Sequence, residues 1–153
     1  VSFPEENGRW AAYMYNSLKY WLPNLPKPDV IHFNAGIWDC EHLFDSEEPF
    51  CSVEEYVRDG IRLYRQLKKT GATIIFATTT PVAKGGRFVE EEICAHTQAL
   101  TAALIREGCL INDLHGVVSA DVAGYISEDG CHPNEAGARA CAEAVLRAIE
   151  PYL

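Results

Sequence analysis

The stretch Ser52–Thr78, SVEEYVRDGIRLYRQLKKTGATIIFAT, decides the architecture. Ser52 followed by Glu55 has the form of a capping box, in which two side chains satisfy backbone N–H groups left free at a helix start. Val53, Tyr56, Val57, Ile61, Tyr64 and Leu67 then recur at three- and four-residue steps, one apolar stripe on a helix that Gly71 closes. Directly after it, Thr73-Ile74-Ile75-Phe76-Ala77-Thr78 is rich in β-branched residues and reads as a strand. The same alternation extends in both directions. Upstream, Trp10, Tyr13, Met14, Ser17 and Trp21 lie at helical spacing within residues 8–22. Pro23, Pro26 and Pro28 stop that helix, and Val30-Ile31-His32-Phe33-Asn34 is a short apolar strand. Downstream, residues 88–107 return to helical spacing before Gly108 and the strand Cys109-Leu110-Ile111-Asn112. Strands joined through helices of this length must run parallel, and right-handed crossovers lay the helices on the faces of one open sheet. A single α/β domain over residues 1–153 is expected. Ligands of such sheets sit beyond the carboxyl ends of the strands, which gathers residues 34–39, 78–81, 112–113 and 129–132 along one rim.

Composition bounds the partners. The 153 residues are 48% hydrophobic and 23% charged, enough for one core. A formal net charge of −9 sets the surface against nucleic acid and anionic membranes. Apolar runs are too short to span a bilayer, and the N-terminal residues carry no export signal; the start at Val1 leaves open that a leader or a whole N-terminal element has been removed. Six cysteines (Cys40, Cys51, Cys94, Cys109, Cys131 and Cys141) form no close pair and no zinc spacing; Cys94, Cys109 and Cys141, in expected helices or at a strand start, read as small apolar side chains, which favours a reducing, cytoplasmic setting without fixing the localisation.

Several polar groups have a structural reading beside any chemical one. His96 lies on the stripe of Ile93, Leu100 and Leu104 and reads as a packed histidine, while His32 and His115 have no partner that spacing can name. Asp39, Glu41 and His42 match no metal template and read as a solvated loop, and Lys84-Gly85-Gly86-Arg87 reads as a flexible turn. No metal and no cofactor is expected.

The chemistry concentrates in Asp129-Gly130-Cys131-His132-Pro133, ahead of an Ala-rich C-terminal helix. An Asp three residues before a His, in a turn, can fix the imidazole tautomer and stabilise the imidazolium formed when a hydroxyl gives up its proton. With Pro133-Asn134 and the helix behind it, this segment resembles the last block of the SGNH (GDSL-type) hydrolases, serine esterases and lipases on a flavodoxin-like sheet. Val30–Gly36 followed by Asp39 resembles the strand and Gly-x-Asn-Asp element of that family, although Asn34 here precedes Gly36. Residues 4–9, opening the first helix, resemble the block whose glycine N–H joins the oxyanion hole.

The resemblance implies a flavodoxin-like open parallel sheet, with Asp129 and His132 as two triad members and Asn34 and the Gly8 backbone as oxyanion donors. Trp38 is the expected substrate contact, and a small-molecule acyl or acetyl ester the expected substrate. The family's first block, a central strand with a Gly-Asp-Ser turn, has no counterpart in the chain, which points to an N-terminally truncated domain. Ser2, Ser17, Ser52, Ser119 and Ser127 lack the required sharp turn. As it stands the chain is expected to be nearly inactive and to self-associate through an exposed sheet edge. The alternative is a non-catalytic relative that binds a carbohydrate or acyl ligand through Trp38, Asn34 and His132.

Overall fold

A computed structural model describes residues 1–85 and 87–153, with Asp45 described by its backbone alone. Three strands, β1 (Val30–Phe33), β2 (Thr73–Ala77) and β3 (Leu110–Asn112), alternate with helices α1 (Ala11–Asn24), α2 (Val53–Lys68) and α3 (Glu90–Arg106). Short helices α4 (Leu114–Ser119) and α5 (Val122–Tyr125) lead into α6 (Glu135–Ile149). The capping box forms: Glu55 N–H donates to Ser52 Oγ at 3.2 Å, and Ser52 N–H donates to Glu55 Oε2 at 3.1 Å. The sheet is parallel throughout, with β2 between β1 and β3; Phe33 is in register with Phe76, and Ala77 with Asn112. The fold is α/β and flavodoxin-like.

The core lies where α2 packs against α1 and against α3, and α2 and α3 reach the sheet. Tyr56 and Leu63 of α2, Phe76 of β2, and Leu100 and Leu104 of α3 are fully buried. Each such side chain contributes about 1.5–3 kcal/mol by leaving water.

The first helix departs from expectation at both ends. It begins at Ala11, three residues beyond Gly8, because Arg9 adopts a left-handed backbone (φ 52°) that breaks helical continuation from Gly8. It also runs through Pro23 to Asn24. A proline in the final turn removes one N–H donor from a helix that is ending anyway, so it limits extension without preventing the turn. The second prediction to change concerns the loop after β1: Asp39 and Glu41 are buried, not solvated.

Candidate active site

Backbone bonds shape the Asp129–His132 turn before any side chain acts. Gly130 N–H donates to Ser127 carbonyl at 3.0 Å, and Ser127 N–H to His132 carbonyl at 2.8 Å. Asp129 Oδ1 accepts from the N–H groups of Cys131 and His132, both at 2.9 Å, and from Ser127 Oγ at 2.8 Å. Its Oδ2 lies 2.7 Å from His132 Nδ1. Backbone donors from Cys131 and His132, helped by the His132 ring and Ser127, hold the Asp129 carboxyl well below the usual carboxylate range. The carboxylate can only accept, so His132 Nδ1 must carry the hydrogen, and Nε2 is left with a lone pair. The His132 side chain is 78% exposed. This is the state a general base needs.

Asn134 anchors the far side of the turn: its Oδ1 accepts from Gly137 N–H at 3.0 Å, capping α6, and its Nδ2 donates to Gly124 carbonyl at 2.8 Å.

The rim segments are tied to one another. Asn34 Nδ2 donates to the Ala77 carbonyl at 2.8 Å, so its amide bridges the ends of β1 and β2 and keeps one N–H in hand. The Ala35 carbonyl accepts from Tyr56 Oη at 2.5 Å and from Thr79 Oγ1 at 3.1 Å. Ala83 N–H donates to the Gly130 carbonyl at 2.8 Å, fastening the loop after β2 to the Asp-His turn. Beneath them, Ile37 and Cys131 pack on one apolar cluster of Cys40, Val82, Phe88 and Ile93. The loop after β1 and the turn that carries His132 therefore share a floor. Trp38 is partly exposed, its ring 6.5 Å from that of Trp10, which in turn meets Phe50 edge-on at 5.1 Å. Gly8 lies outside α1, against Met14. No hydrogen bond joins Gly8 or Trp38 to Asn34 or His132 among the described residues.

No family model and no curated protein matches the sequence. Solved structures do match. An α/β hydrolase from the metagenome of Lake Arreo, Spain, superposes with a TM-score of 0.77 at 22% identity, over 96% of this chain and 71% of its own. The acetyl xylan esterase AlAXEase superposes with a TM-score of 0.78 at 15% identity, over 94% of this chain and 78% of its own. A GDSL-like lipase from Bacteroides thetaiotaomicron gives a TM-score of 0.74 at 15% identity, over 96% and 74%. The chain has the fold of the SGNH (GDSL-type) hydrolases.

Within this SGNH fold, Asp39 occupies a position that sequence reasoning missed. Helix α1 starts at Trp10-Ala11 with no side-chain cap of its own, and the Ala11 N–H instead donates to Asp39 Oδ1 and Oδ2 at 3.1 and 3.2 Å. One N–H of the first turn, that of Ala11, is thus taken by a carboxylate. A helix opening on Trp-Ala, without Ser, Thr, Asp or Asn, was the available signal that a cap comes from elsewhere. Burial pushes the Asp39 carboxyl up to about 6, against the opposing pull of the Ala11 N–H and the Cys51 thiol. Glu41, also buried, pairs with the exposed Arg87. The Lys84–Arg87 turn lies partly outside the described residues. His96 is packed as expected, with Nδ1 2.9 Å from the Glu92 carbonyl and Nε2 2.8 Å from that of Cys51. The partner of His32 is Asn112, 3.0 Å away across the sheet.

Asp39 has a measurable consequence. Its folded-state pKa of about 6 exceeds its unfolded value of 3.8, so the folded protein holds this proton more tightly. Its contribution is fully present below the unfolded value and is lost as pH rises through about 6, a fall of about 3 kcal/mol. Between pH 4.5 and 7 about 2 kcal/mol of it remains to be lost, and urea unfolding at these two pH values is expected to show that fall in the wild type and not in Asp39→Asn. An equal fall in both proteins assigns the proton to another group.

Proposed function

We propose that this chain is the greater part of an SGNH-type serine esterase for acyl or acetyl esters, with a nucleophilic serine supplied from outside these 153 residues. The observation that carries the reading is the Asp129–His132 couple, an ionised carboxylate 2.7 Å from Nδ1 of an imidazole whose side chain is 78% exposed. The acetyl xylan esterase and lipase neighbours support ester hydrolysis.

In the proposed reaction, His132 Nε2 takes the serine proton as the hydroxyl attacks the ester carbonyl. Asp129 stabilises the imidazolium. The free N–H of the Asn34 amide and the Gly8 backbone N–H receive the oxyanion, and each such donor is worth about 100-fold to 1,000-fold in turnover. His132 then protonates the departing alcohol, and water releases the acid by the same route in reverse. Trp38 contacts the substrate. These steps use side chains and backbone alone and need no cofactor. Among the described residues β1 pairs with β2 alone, so its outer edge is open to a further strand such as one bearing the serine.

The test is para-nitrophenyl acetate hydrolysis at neutral pH by the 153-residue chain and by His132→Ala. Background rates in both are expected. Turnover that disappears in the variant would place the nucleophile within the chain and overturn its external supply. A second reading, a ligand-binding relative without turnover, is favoured by the Trp10, Trp38 and Phe50 aromatic group beside the rim. An upstream reading frame encoding a Gly-Asp-Ser turn decides for the esterase.

A further inference from the structure

Away from His132, three side chains with metal-binding atoms converge beneath the loop after β2. Glu90 and Cys94 stand one turn apart on α3, and His115 opens α4. Glu90 Oε1 lies 3.3 Å from Cys94 Sγ and 2.9 Å from His115 Nε2, and Sγ lies 3.6 Å from Nε2. Bonds of about 2.3 Å to sulfur and about 2.0 Å to nitrogen and oxygen, at the tetrahedral angle, require donor separations of about 3.3–3.6 Å. Closing this triangle around an ion therefore moves no pair by more than about 0.4 Å.

We infer that Glu90, Cys94 and His115 form a site for one zinc-class divalent cation, its fourth position open to solvent or an added ligand. The groove beside it, about 460 Å³, is lined by Thr78, Cys94, Asp113 and His115 among others.

Outer contacts hold the donors in place, as metal ligands require. Glu90 Oε2 accepts from the Val82 N–H at 2.8 Å, which leaves Oε1 for the cation. His115 N–H donates to Thr78 Oγ1 at 2.8 Å, and its Nδ1 lies 3.2 Å from Ser119 Oγ. A hydroxyl both donates and accepts, so Ser119 serves either imidazole tautomer. On binding, the Cys94 thiol proton leaves to solvent and the imidazole proton moves from Nε2 to Nδ1, where Ser119 Oγ accepts it. The mixed Glu, Cys and His set suits zinc and cobalt better than magnesium or calcium, which prefer oxygen alone.

A second group, Asp129, Cys131 and His132, also brings three donors together, but Asp129 and His132 are exposed and Asp129 Oδ1 already accepts three hydrogen bonds. The experiment therefore separates the two. Zinc is titrated into the reduced chain against a chromophoric chelator, and cobalt is added to read the thiolate-to-metal absorption band. One ion per chain is expected, with the cobalt band lost in Cys94→Ser and kept in Cys131→Ser. Ser119→Ala is expected to weaken zinc by about 10-fold to 100-fold, and Glu90→Gln and His115→Ala by more. Circular dichroism checks that each variant is folded. Absence of saturable zinc uptake by the wild type overturns the inference. So does a cobalt band that survives Cys94→Ser and disappears in Cys131→Ser.

Discussion

Replacing Gly36 by alanine is expected to lower the free energy of unfolding by about 3–5 kcal/mol, read from urea or thermal denaturation. Two costs add. Gly36 has a φ of +146°, where L side chains are rarely found. A Cβ there would also lie 2.4 Å from Thr79 Oγ1 and 2.9 Å from Tyr56 Oη, the two hydroxyls that converge on the Ala35 carbonyl. The methyl group thus removes bonds that hold the end of β1, besides straining the backbone. Gly71→Ala is the control: its φ is also positive, at +83°, but nothing lies within 4 Å of its added Cβ. It should cost only the conformational part, about 1 kcal/mol. Equal losses in the two variants would mean that crowding at Thr79 and Tyr56 contributes nothing.

The largest effect on activity is expected in an extended form of the chain that includes a Gly-Asp-Ser segment. There, His132→Ala should lower kcat for a small acetyl ester by about 10⁴-fold to 10⁶-fold, since a triad acts as a unit and the serine loses its base. Asp129→Asn should cost about 10⁴-fold with little change in KM. An amide at position 129 can turn its N–H toward Nδ1, which forces the ring hydrogen onto Nε2 and leaves the base facing the wrong way. Because Asp129 also accepts from two backbone N–H groups and Ser127, circular dichroism and a KM comparison must accompany the rate. Retention of activity in His132→Ala would remove His132 from the mechanism.

The parts of this molecule that could be read from the sequence are those governed by local rules. The Ser52–Glu55 cap, the α2 stripe and the β-branched run at residues 73–77 each carry their own signal within a few residues, and together they impose parallel strands. Asp129 and His132 were legible for the same reason, since one turn holds both.

What remained hidden depends on partners far along the chain. Asp39 caps a helix 28 residues upstream, so its burial could not be read from the acidic residues around it. His115 looked solitary because Glu90 and Cys94 reach it only through the folding of α3 against β3 and α4. Gly8 was misplaced by a backbone feature, the left-handed Arg9, which leaves no mark in residue spacing. The bond from the Asn34 amide to the Ala77 carbonyl, 43 residues along the chain, was equally out of reach of local spacing.

The strand order β1-β2-β3 follows the order of the chain. Each strand pairs with the one made just before it, so none has to be threaded between neighbours already joined, and the loops to be closed stay short. Assembly can proceed as the polypeptide emerges, with no earlier pairing undone. The Asp129–His132 turn comes after the last of these strands and is fastened to the loop after β2 by the Ala83–Gly130 bond. The contact between this turn and the rim is therefore the last to form, and a chain ending before residue 129 would lack both the Asp129–His132 couple and the bond that ties it to the loop after β2.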